Sequence, residues 1–363
     1  MGPHCASTSA WKTSTTCAPI SKRVSSASTP QSNRKLDGVW RLASLVASVK
    51  HERMHGNSEP RFIAAAVAML VGATTCDPAA AAKVRVCQGQ DQAYEQIKPV
   101  ATTLEVNAAL FSAADKGCAA LARRLLTDGA SLQARDRLGA MPLSRAAQSG
   151  EAEIVDLFLQ NGAAINARNL DGSTALYLAA EAGNRTAVEV LLRHGADVNL
   201  PGRTGITPIA AAAFMGSDTL VRLLLDKGAD PNVADGTGKT AICYAAGRGF
   251  PDVVRQLLER GVASNARYGN DLTALMWAAG YTEEAGTGDM AEIIKLLIER
   301  GAHIDDADNR GRTALMIAAA VGHTATAELL LSHGANASLR DKSGKTARDL
   351  AANDTLRARL AAK

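Results

Sequence analysis

Apolar residues recur through residues 104–363 at the spacing of short amphipathic helices. After Thr174, three residues have the i, i+3, i+4 spacing that places them on one helix face: Leu176, Ala179 and Ala180. A second stretch repeats this spacing with Val188, Leu191 and Leu192. A turn containing Gly172 precedes the first stretch, and Gly183 with Asn184 separates the two. The pattern therefore predicts a turn followed by two helices, the first capped by Thr174.

This pattern returns at a fixed period. A Gly-Ala pair ends the second helix, and its glycines are Gly129, Gly162, Gly195, Gly228, Gly301 and Gly334, with Gly261-Val262 as a variant. The spacing is 33 residues throughout, except for 40 residues between Gly261 and Gly301. The threonine at the first helix keeps the same spacing and the same interruption: Thr174, Thr207, Thr240, Thr273, Thr313 and Thr346. Neither helix can bury its apolar face within one unit, so the units must stack around a shared core.

These units resemble the ankyrin repeat, which has a β-turn and two antiparallel helices in about 33 residues. The resemblance covers residues 104–363 and implies an all-α solenoid of stacked helix–turn–helix units with β-turn tips. We expect seven repeats over 104–341, the first degenerate: 104–136, 137–169, 170–202, 203–235, 236–268, 269–308 and 309–341. A capping half-repeat follows at 342–363. The extra residues of the sixth unit fall at 280–289. We interpret them either as a recognition loop or as a tolerated insertion.

One position departs from the family pattern. Ankyrin repeats often carry a histidine three residues after the threonine, bonded back to it. This sequence has Tyr177, Ala210, Cys243, Met276 and Met316 there. The resemblance therefore implies the loss of a local hydrogen bond in each unit and more reliance on apolar stacking.

The first 103 residues differ from the rest. Residues 1–53 are expected to be a disordered extension or an over-long predicted start, because residues 1–35 are rich in Ser and Thr and lack acidic residues. The apolar run 62–73 follows Arg61, and small residues lie at 79–82, so 54–82 is similar to a secretory signal peptide with a mature start near Lys83. Two alternatives remain: a core helix for the apolar run, and an organelle transit peptide for the start. Residues 83–103 are expected to cover the first repeat or to link to it loosely.

Charge and composition exclude several classes of partner. Residues 1–103 carry 12 Lys and Arg against 6 Asp and Glu, whereas residues 104–363 carry 28 against 30. The repeats therefore have no net positive charge to attract a phosphate backbone, and aromatic residues are only 4% of the chain. No apolar run reaches the ~18 residues of a membrane-spanning helix. We expect neither nucleic-acid binding nor stable membrane insertion.

Catalytic motifs are weak. Residues 51–55 match the zincin pattern HExxH, in which His51 and His55 would bind zinc and Glu52 would act as a base. Gly56 to Pro60 break the chain directly afterwards, and no surrounding domain supplies a third ligand. There is no phosphate-binding loop and no Ser/His/Asp arrangement, so no enzyme activity and no cofactor are expected. The histidines of the repeats are expected to be solvated: His194, His303, His323 and His333.

The six cysteines bear on the cellular compartment. A start near Lys83 leaves Cys87, Cys118 and Cys243. Cys243 lies in a core position of an inner helix and is expected to be a buried thiol. In an oxidising compartment we expect a Cys87–Cys118 disulfide, and in a reducing cytosol two free thiols.

The resemblance implies a concave binding face made of turn tips and inner helices, with variable contacts after each Ala-Ala pair. Side chains of types enriched at interfaces fall there on three successive units: Phe214, Met215, Arg248 and Tyr281. The alternative is that Phe214 and Met215 pack against the neighbouring unit. Tyr244 and Trp277 are assigned to the core.

Arg310 and Arg312 are further candidates for partner binding, because they are basic residues at the turn tips. They could contact an acidic partner or be solvated without a partner. The sequence thus predicts a monomeric, non-enzymatic scaffold that binds a protein partner and is periplasmic or secreted. The alternatives are a cytoplasmic adaptor with a disordered basic tail, and a zinc metallopeptidase with repeats for substrate recruitment.

Overall fold

The computed structural model describes residues 78–280 and 287–361, which lie in one compact unit, Cys76–Lys363. The inner helices are α2 (Thr103–Lys116), α4 (Pro142–Gln148), α6 (Ala175–Glu181), α8 (Pro208–Phe214), α10 (Ala241–Arg248), α12 (Ala274–Ala279), α14 (Ala314–Val321) and α16 (Ala347–Leu350). The outer helices are α3 (Ala119–Thr127), α5 (Ala152–Gln160), α7 (Arg185–Arg193), α9 (Asp218–Asp226), α11 (Pro251–Glu259), α13 (Thr287–Glu299), α15 (Thr324–Ser332) and α17 (Asp354–Ala361). Helix α1 (Pro78–Ile97) precedes them, and short 3₁₀ turns lie at Lys98–Val100, Arg203–Gly205 and Gly269–Asp271. The predicted all-α repeat fold is confirmed.

The inner helices form a continuous row, each packed on the inner helix of the next unit. Small residues make this close approach possible, because Ala179, Ala212, Ala245 and Ala278 are fully buried at equivalent places. The Leu, Ile and Val stripes of the outer helices close the other side of one core, which runs from Tyr94 to Leu360. This is the shared core that the repeat pattern requires.

Threonine starts the inner helices as predicted. The hydroxyls of Thr174, Thr207, Thr273 and Thr313 accept a hydrogen bond from the backbone N–H three residues later. Thr240 makes no such cap, and its hydroxyl lies 3.6 Å from the sulfur of Cys243. The residues that replace the family's histidine are buried side chains of the core.

The turn tips are joined by backbone hydrogen bonds between successive units. The N–H of Leu170 donates to the carbonyl of Leu138, and the N–H of Gly269 donates to that of Gly238. At several tips an aspartate also accepts from the backbone, as Asp308 does from Arg310 and Arg312. Tips and inner helices together form one face, which we call the inner surface.

Helix α1 was not predicted as a helix, because residues 83–103 show no amphipathic pattern. It packs on α2 and α3, the two helices of the first repeat. Tyr94 is its one buried side chain, with the hydroxyl donating to Asp128 at 3.0 Å. The helix starts at Pro78, so the expected boundary at 82/83 falls within it.

Part of the sixth-unit insertion is helical. Helix α13 has 13 residues, whereas the preceding outer helix α11 has 9. The extra turn lies at its N-terminal end, in line with an insertion placed between the two helices. Residues 281–286 lie outside the described part.

Candidate functional site

Phe214 and Met215 lie at the C-terminal end of α8 and face outward on the inner surface. Their exposed fractions are 40% and 49%. The ring of Phe214 packs edge to face on that of Tyr244 in the next unit, with centroids 5.8 Å apart. Both alternatives that the sequence left open therefore apply to Phe214: it packs against the neighbouring unit and remains accessible to a partner.

Arg248 joins this pair from α10. Its guanidinium carbon lies 4.2 Å from the centroid of the Phe214 ring and 6.0 Å from that of Phe250. Stacking of a guanidinium on an aromatic face is favourable and keeps the ring in one position. Three of the four residues predicted for successive units are thus brought together. The fourth, Tyr281, lies outside the described residues.

Tyr244 and Trp277 pack against the core, as assigned, and as half-buried residues they also belong to the same surface. Both are half-buried, and the ammonium of Lys239 lies over both rings, 5.6 Å and 5.1 Å from their centroids. We call Phe214, Met215, Lys239, Tyr244, Arg248 and Trp277 the aromatic–cation cluster. For Trp277 the missed signal was Gly247, which has no side chain to cover the indole; a Cβ there would lie 3.7 Å from its Cε3.

Asp235 holds the turn beneath this cluster. Its carboxylate is buried and accepts from the backbone N–H groups of Thr237 and Lys239 and from the hydroxyl of Tyr244. Burial alone would raise the pKa of Asp235, but these hydrogen bonds lower it below its usual value. Burial and the bond to Asp235 raise the pKa of Tyr244. Asp235 is thus a charged anchor of the turn that keeps Tyr244 neutral.

Arg310 and Arg312 are not part of the cluster. Arg310 is exposed at its tip, and a guanidinium nitrogen of Arg312 lies 3.8 Å from the carboxylate of Asp341. No described contact connects either arginine with the aromatic rings. Arg312 therefore has a partner within the turn region, whereas Arg310 is available to solvent.

Cys87 of α1 and Cys118, the residue before α3, are joined by a disulfide with Cα atoms 5.2 Å apart. Whether the bond forms in the cell stays a prediction. Cys243 is a buried free thiol, as expected, and burial raises its pKa to about 11. A thiol in that state is poorly reactive at neutral pH.

The expected solvation holds for His194, His303 and His333, which are exposed, whereas His323 is half-buried. Nε2 of His194 lies 2.7 Å from a carboxylate oxygen of Asp156, and Nδ1 of His323 lies 3.1 Å from the carbonyl of Ala279. Within the described ranges, no group of three His, Cys, Asp or Glu side chains is arranged to hold a metal ion. The HExxH match at 51–55 lies outside them.

Two cavities lie at the first repeat, away from the cluster. One, of about 680 Å³, lies between α1 and α3 beside Cys87 and Cys118, and the other, of about 600 Å³, is lined in part by Leu104, Phe111 and Leu138. In the aromatic–cation cluster, Phe214 and Met215 are exposed side chains, which suits contact with a macromolecular partner. Of the helices that the structure describes, none combines the length and the apolarity needed to cross a membrane.

Comparison with known families agrees with this architecture. The family model of ankyrin repeats, in three copies, matches residues 110–202, 143–235, 209–287 and 283–358. These matches extend over more than half of the chain, and the chain therefore belongs to the ankyrin repeat family. No curated protein matches the sequence significantly.

Proposed function

We propose that this ankyrin repeat protein is a non-enzymatic scaffold that binds a partner protein through its inner surface, with the aromatic–cation cluster at the centre of the contact. Ankyrin repeats are typically protein-binding modules. The observation that carries the proposal is the grouping of half-exposed aromatic, Met and Arg side chains on three successive units. These are the side chains that dominate binding energy at protein interfaces.

Removing the exposed apolar side chains of the cluster should weaken binding without unfolding the repeats. We expect Phe214→Ala with Met215→Ala to reduce partner capture by roughly tenfold or more, the usual effect of losing interface anchors. Val321 supplies a matched control, because it lies in the equivalent slot of the seventh unit and is 50% exposed. Capture is compared by quantitative cross-linking in cells, and far-UV circular dichroism checks folding.

Capture by the double variant at the level of the Val321→Ala control would contradict this assignment. Phe214→Ala with Tyr281→Ala extends the test across to the sixth unit. An equal loss of capture in the Val321→Ala control would indicate that the partner contacts the inner surface broadly and that the contact is not centred on the aromatic–cation cluster.

We also propose that the protein is exported. Support comes from the signal-peptide-like segment 54–82 and from the pairing of Cys87 with Cys118, since structural disulfides persist in oxidising compartments. N-terminal sequencing and intact mass after cell fractionation should give a start near Lys83 in the exported fraction. A chain starting at Met1 in the cytosol, with both thiols free, would contradict export and favour the adaptor alternative.

A further inference from the structure

The aromatic–cation cluster contains a cation that nothing in the described part of the protein neutralises. The Lys239 ammonium lies over Tyr244 and Trp277, and no carboxylate of residues 78–280 or 289–361 forms an ion pair with it. The nearest acidic residue in its own turn, Asp235, is buried and is occupied by the backbone and by Tyr244. Within residues 78–280 and 289–361, the positive charge of Lys239 therefore has no carboxylate partner.

The same place has an accessible apolar floor. Gly247 has no side chain, and a Cβ there would lie 3.7 Å from Cε3 of Trp277, so residue 247 leaves that side of the indole uncovered. In the preceding unit Phe214 and Met215 are exposed, and Phe214 contacts Tyr244, one of the two rings beneath Lys239. A partner segment therefore meets apolar side chains next to a cation.

We propose that this surface binds an acidic peptide segment, in which an Asp or Glu carboxylate pairs with Lys239 and an adjacent aliphatic or aromatic side chain packs on Phe214, Met215 and the exposed side of Trp277. The inference rests on the proposed binding function and adds the chemistry of the partner. Its basis is charge complementarity: a carboxylate supplies the partner that Lys239 lacks among the described residues, and the surrounding rings reduce its exposure to water.

The chain has a matched control for the charge. Lys345 occupies the position of Lys239 in the last tip, because the backbone N–H of each donates to the aspartate four residues earlier. Leu350 replaces Tyr244 in the corresponding slot, so Lys345 has no tyrosine ring beside it and is exposed. Lys239→Glu and Lys345→Glu change the net charge equally and differ only in the surface they alter.

The experiment uses a random peptide array probed with the purified protein, followed by titration of retained peptides. We expect retained peptides to be enriched in Asp or Glu beside aliphatic or aromatic residues. Lys239→Glu should weaken their binding about tenfold or more, and Lys345→Glu less than about twofold. Lys239→Met keeps the apolar stem on the rings and should lose the acidic preference while retaining part of the affinity. Binding to the wild type should weaken with added salt.

Three results would overturn the proposal: retained peptides without acidic enrichment, equal loss in Lys239→Glu and Lys345→Glu, or no retained peptide at all. Tight binding of a single-stranded oligonucleotide that depends on Lys239 would also overturn it, because the surface would then recognise phosphate and bases. If partner capture still requires Phe214 and Met215 in any of these cases, the binding function stands and only the acidic preference fails.

Discussion

Replacing Cys87 and Cys118 by alanine is expected to release α1 from the end of the stack. The two cysteines that the disulfide joins are 31 positions apart in the sequence. Loop-closure entropy for a loop of that length corresponds to about 3–4 kcal/mol of stability. Little else holds the helix, since Tyr94 is its one buried side chain. Its remaining side-chain contacts are polar and half-exposed, such as Lys83 with Glu151 and Arg124 with Asp91.

The loss should be local, because each unit of a solenoid contacts only its neighbours. Hydrogen exchange is the suitable measurement: amides of α1 should lose protection in the double variant, while those of α8 and α10 keep theirs. Reduction of the wild type with dithiothreitol should reproduce this loss of protection. The Cys243→Ala variant should lose protection in α1 to the same extent on reduction, because Cys243 is not part of the disulfide. If the amides of α1 keep their protection after complete reduction, Tyr94 and the ion pairs are sufficient to hold the helix on the first repeat.

Helix α1 also shows where sequence reasoning reaches its limit. The repeats were predictable because their apolar residues are buried at a helical spacing in every unit. In α1, Val84 and Val86 are exposed, and no stripe marks the buried side. Its place is set by one disulfide and a few ion pairs with distant residues. Such contacts leave no periodic signal in the sequence.

The candidate surface was predictable in part for a related reason. Repeat alignment identifies the slot of Phe214, Met215 and Arg248, but burial depends on the sizes of residues in adjacent units. Tyr244 lies in the same slot as Leu178, which is buried, yet Tyr244 is half-exposed. The role of Lys239 was not predictable, because its position over two rings depends on three-dimensional packing between units.

The second large effect concerns Tyr177 and the glycine that faces it. Tyr177 stands where the family often has histidine, and its ring is buried in a small cluster with Leu178 and Ala211. A Cβ at Gly202 would lie 2.3 Å from Cγ of that ring. The φ angle of Gly202 is −91°, so glycine is not needed here for a left-handed backbone, whereas the tyrosine ring leaves no space for a side chain.

The hydroxyl of Tyr177 is fixed as well, so the ring cannot simply move aside. It donates to a carboxylate oxygen of Glu181 at 3.0 Å and accepts from Nε of Arg203 at 3.2 Å. Burial, offset in part by the bond from Arg203, raises the pKa of Tyr177 to about 12, so the hydroxyl stays protonated. These bonds connect α6 to the tip of the next unit.

We therefore expect Gly202→Ala to lower the free energy of unfolding by about 1–3 kcal/mol through overpacking. Tyr177→Ala should cost more, about 3–5 kcal/mol, because it leaves a cavity between two units. The double variant should lose clearly less than the sum, because the smaller residue at 177 removes the clash with alanine at 202. Gly89→Ala is the control: Gly89 lies in α1 with no atom within 4 Å of a Cβ, so the change should be neutral or slightly stabilising.

Urea unfolding followed by far-UV circular dichroism measures all four variants. Weakening one junction of a solenoid also separates the units on its two sides, so Tyr177→Ala is expected to broaden the transition or split it in two. If Gly202→Ala costs the same with and without Tyr177, the cause is the turn backbone and not the ring. Strong coupling would establish instead that Tyr177 and Gly202 depend on each other. The large Tyr177 ring is then tolerated at the family's histidine position because the residue that faces it in the next turn, Gly202, has no side chain.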